Sequence, residues 1–119
     1  MQLFGIPNCN TVKKARTWLD ARNIAYTFHD FKKEPPTQAL LESWLSQQPW
    51  ESLVNRAGMT WRNLTDAEKA AVDNNASAIQ LMMAKPSVIK RPVLVQENKI
   101  LGLGFSESNY ENIFPQWVL

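Results

Sequence analysis

The chain has 119 residues, 45% of them hydrophobic, including five Trp and five Phe, which is enough to bury a single core without covalent staples. A formal charge of +2 is too small to mark a nucleic-acid binder, and no apolar run approaches the about 18 residues that a membrane helix requires, so neither partner is expected. One cysteine excludes an internal disulfide and, beside one histidine, leaves no credible metal site. The start MQLFGIP lacks the charged opening of a secretory signal. Together with the unpaired thiol, this points to a reducing, cytoplasmic setting.

Residues 2–6 are apolar, end at Pro7 and read as a buried strand. Residues 10–22 place Val12, Ala15 and Leu19 on one helical face with Trp18 beside them, and Asn23 is the stop. Residues 25–30, AYTFHD, alternate as a second strand, which completes a βαβ unit.

The middle of the chain is helical. Thr37 is a candidate N-cap before Leu40, Leu41, Trp44 and Leu45, and Pro49 interrupts that helix. A helical turn over 51–57 ends at Gly58. Thr65–Glu68 and Ser77–Gln80 carry capping-box spacing. The second opens a helix that buries Ile79, Met82 and Met83 and ends before Pro86. Residues 93–96 and 99–103 then flank a turn at Glu97-Asn98, a β-hairpin. Ser106 caps a last helix through Phe114, with Tyr110, Ile113 and Phe114 inward and Pro115 as its stop.

The order βαβ, helical block, ββα predicts an α/β fold. It is a single domain over 1–119 with a four-stranded mixed sheet, thioredoxin-like in topology, and a helical insertion at about 35–86. In such a sheet the loop after the first strand lies at the carboxyl edge, where ligands bind. Cys9 sits there, at the start of a helix whose free N–H groups and partial positive charge favour a thiolate. An unperturbed cysteine is only about 3% ionised at pH 7; a pKa of about 6.5 would make it about three-quarters thiolate.

Lys13, one turn along, adds positive charge if it folds back; in the cluster Lys13, Lys14 and Arg16, the other reading is a solvated face. Asn8 and Asn10 either cap the helix or hydrogen-bond around the sulfur, with capping favoured. The Thr11 hydroxyl either faces the sulfur or completes the helix start. The motif Cys9-Asn-Thr-Val12 has no second cysteine, so turnover needs an outside thiol such as glutathione. His29 is more naturally a structural residue than a base. In VIKRPVLV, Pro92 opens a strand; in thioredoxin-type folds this proline is cis and faces the cysteine. Arg91 before it is then placed to hold an anion beside the thiolate. Trp50 and Trp61 read as core rather than cleft residues.

GIPNCNTVKKARTWL, FHDF, LVNRAGMTWRNL, IKRPVLV and LGF together resemble the arsenate reductase (ArsC) and Spx family, in its YffB-like branch, over nearly the whole chain. The resemblance implies a thioredoxin-like fold with a helical insertion, Cys9 as nucleophile, Pro92 as the cis proline and Arg91 as an anion-binding arginine. Arg56 falls near another such arginine. Phe105 stands where a third would be, and Gly5 where the arsenate reductases carry a histidine.

The expected activity is a glutathione-dependent thiol reductase with catalytic Cys9. Its substrate or glutathione site is drawn from Arg91, Pro92, Arg56, Lys13, Asn8 and Thr11, with no metal and no tightly bound cofactor. Glutathione or another small thiol is the expected partner. The alternatives are an arsenate reductase using glutathione and glutaredoxin, disfavoured by the missing arginine, and a Spx-like RNA polymerase-binding regulator without catalysis.

Overall fold

The structure, a computed structural model, describes residues 1–117; positions 118 and 119 of the expected domain lie outside the described residues. The fold divides into two compact units. One joins Met1–Asp30 to the chain from Arg91 onward, and the other is Phe31–Lys90, so the helical insertion forms a unit of its own.

In the first unit, β1 (Gln2–Gly5), β2 (Thr27–Asp30), β3 (Val93–Gln96) and β4 (Lys99–Leu103) form one sheet in the order β2-β1-β3-β4. β1 runs parallel to β2 and antiparallel to β3, and β3 is antiparallel to β4. This is the mixed sheet expected. β2 is shorter than its alternating pattern, which began at residue 25. The hairpin turn holds Glu97 at φ 50° and Asn98 at φ 67°, the paired positive φ values whose twist suits a two-residue hairpin.

Helix α1 (Asn10–Ala21) buries Val12, Ala15, Trp18 and Leu19, the four residues its spacing singles out. Asn23, at φ 55°, ends it. On one face of the sheet, Ala15, Trp18 and Leu19 from α1 meet Leu3 and Leu94 from the strands and Tyr110 and Phe114 from the C-terminal helical segment. The Tyr110 ring lies edge-on to Trp18, with centroids 5.5 Å apart.

The second unit is built from α2 (Gln38–Leu45), α3 (Trp50–Leu53), α4 (Met59–Arg62), α5 (Asp66–Ala70) and α6 (Asn75–Ala84). Thr37 caps α2, its hydroxyl accepting the Leu40 N–H at 3.2 Å. Leu41, Trp44 and Leu45 are buried, while Leu40 is only half-buried. Phe31, Leu53, Val54, Leu64, Ala78, Ile79, Met82, Val88 and Ile89 are buried in this unit as well.

Four expectations are corrected by the structure of this unit. The turn placed at 51–57 is shorter, because the backbone turns extended at Val54, which pairs with Ile89 as a bridge. Gly58 does not end that turn; it caps α4, which has too few residues to show a period. The α6 helix starts two residues before Ser77: Asn74 is its N-cap, and Ser77 is the reciprocal partner of the box. Its core face is Ala78, Ile79 and Met82, and Met83 is 38% exposed. The Thr65–Glu68 box is present, opening α5.

The last helix, α7 (Glu107–Ile113), is capped by the Ser106 hydroxyl, which accepts the Asn109 N–H at 3.1 Å. Pro115 starts a short 3-10 turn, Pro115–Trp117. Among the described residues, no helix is long and apolar enough to cross a membrane.

Candidate active site at Cys9

After β1 the chain turns through Ile6-Pro7-Asn8, and the Cys9 N–H donates to the Ile6 carbonyl at 3.2 Å. Cys9 has an extended backbone and is itself the N-cap of α1; its carbonyl accepts the Lys13 N–H at 3.0 Å. The expected capping by Asn8 or Asn10 is therefore corrected. Asn10 is already the first helical residue, Asn8 lies in the preceding turn, and both are exposed. N-cap side chains normally receive the N–H groups two and three residues on. Cys9 forms no conventional capping bond, but the N–H groups of Thr11 and Val12 reach its sulfur closely enough to stabilise negative charge there.

Burial is the largest single influence on the Cys9 thiol and raises its pKa. The Val12 N–H, a hydrogen bond from Arg91, the Thr11 N–H and the Arg91 charge all act the other way, and together they hold it below the ordinary thiol value. Thr11 thus acts through its backbone. Lys13 is exposed and is not among the groups that move the thiol; the cation that does so is Arg91.

The same unit brings Arg91 to the sulfur from the opposite end of the chain. Arg91 is half-buried and joined by a cis peptide bond to Pro92, which is buried directly before β3. The Pro92 carbonyl accepts the Gly104 N–H at 2.9 Å. Gly104 has φ 75°, a left-handed conformation that glycine tolerates best, and this turns the chain into Phe105 and α7. Phe105 packs edge-on against Tyr110, with centroids 4.7 Å apart.

His29 lies flat on the Phe4 ring, centroids 4.6 Å apart and planes 15° from parallel, a packing arrangement. Arg56 belongs to the helical unit, where it is exposed and its guanidinium lies 5.7 Å from the Trp50 ring centroid. Trp50 and Trp61 are half-buried rather than core residues. Among the described residues, no group of three His, Cys, Asp or Glu side chains could hold a metal ion.

Sequence reasoning did not find the N–H of Val12, nor the part played by Gly5. A Cβ at Gly5 would lie 2.8 Å from Val12 Cγ2. A glycine in a strand, with a β-branched residue three places after the cysteine, was the only available signal.

A sheet of this order, with a cysteine at the cap of α1 and a cis proline before β3, defines a thioredoxin-like protein. Residues 4–113 match the ArsC family, and the chain belongs to that family. It is similar to the solved YffB protein (45% identity, 94% of this chain and 96% of that one, TM-score 0.86). An arsenate reductase (ArsC) related protein from Brucella melitensis is 48% identical over 95% of this chain and 92% of its own, with a TM-score of 0.77. A protein of uncharacterised role from Haemophilus influenzae is 38% identical over 94% of this chain and 96% of its own. The global transcriptional regulator Spx of Streptococcus mutans is more distant, at 26% over 96% of this chain and 82% of its own.

Proposed function

We propose that the protein is a glutathione-dependent thiol reductase that works through the single nucleophile Cys9. The observation that carries this reading is the convergence of Arg91 and the Val12 and Thr11 N–H groups on one partly exposed sulfur. These groups favour the thiolate, the form that attacks disulfides.

The cycle needs no second cysteine. The Cys9 thiolate attacks the glutathione sulfur of a mixed disulfide, forming Cys9–S–S–glutathione and expelling the substrate thiolate, which takes up a proton. A second glutathione, as thiolate, attacks the glutathione sulfur held on Cys9. This regenerates the Cys9 thiolate and releases glutathione disulfide, so one incoming glutathione thiol is oxidised for each substrate thiol set free. Arg91 stabilises the Cys9 thiolate each time it forms and leaves, and it suits the carboxylates of glutathione. A cytoplasmic compartment supplies the reductant. Asn8 and Lys13 flank Cys9 in the sequence and Pro92 follows Arg91, and these three are assigned to the same pocket.

The arsenate reading draws on the family relationship and on the Cys9–Arg91 pair, which also suits an oxyanion. Phe105 in place of a cation counts against it. Incubation with a glutathione mixed disulfide, followed by intact-mass spectrometry, tests the reductase. A glutathione adduct on the wild type that is absent from Cys9→Ser, together with substrate thiol release, supports it. No adduct, with arsenate-dependent oxidation of glutathione in the presence of glutaredoxin, transfers the site to arsenate.

A further inference from the structure

An open groove of about 640 Å³ runs along the outer face of α1 against the Phe105–Glu107 segment. Its lining brings the apolar Phe105 and the edge of the largely buried Trp18 together with the cations Lys13, Lys14 and Arg22, against one acid among the described lining residues, Glu107. Arg22 is held in place: its guanidinium lies 3.8 Å from the Trp18 ring centroid and donates to the Trp18 carbonyl at 3.1 Å. The groove adjoins the Cys9 site along two paths. Lys13 is one turn beyond Cys9 on α1, and Phe105 follows Gly104, which is bonded to the Pro92 carbonyl.

Its length decides what it can hold. At 1.5 Å per residue, Lys13 lies about 6 Å along the helix axis from Cys9 and Arg22 about 20 Å. A glutathione held on Cys9 extends one or two residues either way from its sulfur, about 3–7 Å. It touches only the near end. An extended polypeptide needs about six residues to reach Arg22.

Resting on the reductase reading, we infer that the groove docks the polypeptide that carries the substrate thiol, through an acidic segment with an aromatic or aliphatic side chain set against Phe105 and Trp18. The substrate class is then a glutathione-blocked protein cysteine followed within about six residues by acidic and apolar side chains. Carboxylates on that segment face Lys14 and Arg22, and Cys9 takes the glutathione from the blocked cysteine by the same thiol–disulfide exchange.

The test uses three seven-residue peptides. The first has one cysteine as its glutathione mixed disulfide, followed by an aspartate, a phenylalanine and glutamates. The second has lysines in place of the acids, and the third is the acidic peptide with serine for cysteine, labelled for fluorescence anisotropy. The wild type should reduce the acidic peptide with kcat/KM about tenfold above the basic one and bind the serine peptide, more weakly as salt rises. Lys14→Glu/Arg22→Glu should abolish both effects while leaving turnover of a small glutathione mixed disulfide unchanged. Lys14→Glu/Thr17→Glu, at two exposed positions, should do the same without touching the Arg22–Trp18 stack. Equal handling of the two peptides, or a preference that survives both variants, overturns the inference. Serine-peptide binding that the variants abolish, with no thiol exchange on any substrate, supports the groove and removes the reductase reading instead.

Discussion

A methyl group on Gly5 would lie 2.8 Å from Cγ2 of Val12, a side chain with no exposed surface and therefore little room to retreat. The Val12 N–H is one of the donors that lower the Cys9 pKa, so Gly5 acts on the site through Val12. Gly5→Ala should cost about 1–3 kcal/mol in urea unfolding and raise the pH midpoint of Cys9 alkylation. In Gly5→Ala/Val12→Ala the clash is relieved and the alkylation midpoint should return toward the wild-type value, while the truncated Val12 keeps the stability low through its own lost burial. An unchanged midpoint in Gly5→Ala would show that the Val12 N–H does not depend on this packing. The cysteine and arginine were legible because each is a distinctive residue type in a distinctive place. The amide donors were not, since every residue but proline carries one and only the backbone path decides where it points.

At the scale of elements, α7 depends on one cap and one aromatic. Ser106→Ala removes the hydroxyl that accepts the Asn109 N–H and should cost about 1 kcal/mol in thermal or urea unfolding. Tyr110 is fully buried among Trp18, Phe105 and Phe114, and its hydroxyl has no hydrogen-bond partner among the described residues. Burial pushes its phenol far above the usual range. Tyr110→Phe keeps the packing and removes the unsatisfied group, so unfolding should show it neutral or up to about 1 kcal/mol more stable. Tyr110→Ala should lose about 3–5 kcal/mol. A large loss in Tyr110→Phe would mean that the hydroxyl has a partner.

The elements also show how far a one-dimensional pattern reaches. Long periods and caps located α1, α2, α5 and the hairpin. The α6 start was misplaced because Ser77 fits either end of a capping box, and the reciprocal bonds with Asn74 choose between them. Met83 follows Met82 in sequence but sits about 100° round the helix, so only one of the pair enters the core. Four-residue helices such as α3 and α4 carry too few positions to display a period.

For the whole molecule, strand and helix order alone distinguished a mixed sheet with an insertion from other α/β arrangements, because a parallel β1–β2 pair needs a crossover and β3–β4 needs only a turn. The split of the chain was legible as a helical insertion, but only with approximate bounds, about 35–86 against the compact unit Phe31–Lys90. The site adds a global consequence through linkage. The folded Cys9 pKa is depressed, so folding favours the thiolate. That contribution is complete above the unfolded value of about 8.5 and is lost as pH falls through the folded pKa. Wild-type stability relative to Cys9→Ser, measured by urea unfolding, should therefore rise with pH up to about 8.5 and then level off. A difference that is flat, or that falls with pH, contradicts the depressed pKa.

The rate of Cys9 alkylation by iodoacetamide across pH 5–10, in the wild type and in Arg91→Gln, reads the sulfur's charge directly. The wild-type midpoint should lie clearly below the roughly 8.5 of a free thiol, and Arg91→Gln should move it upward. A midpoint at or above 8.5, indifferent to Arg91, would contradict the account of Cys9 as a stabilised nucleophile.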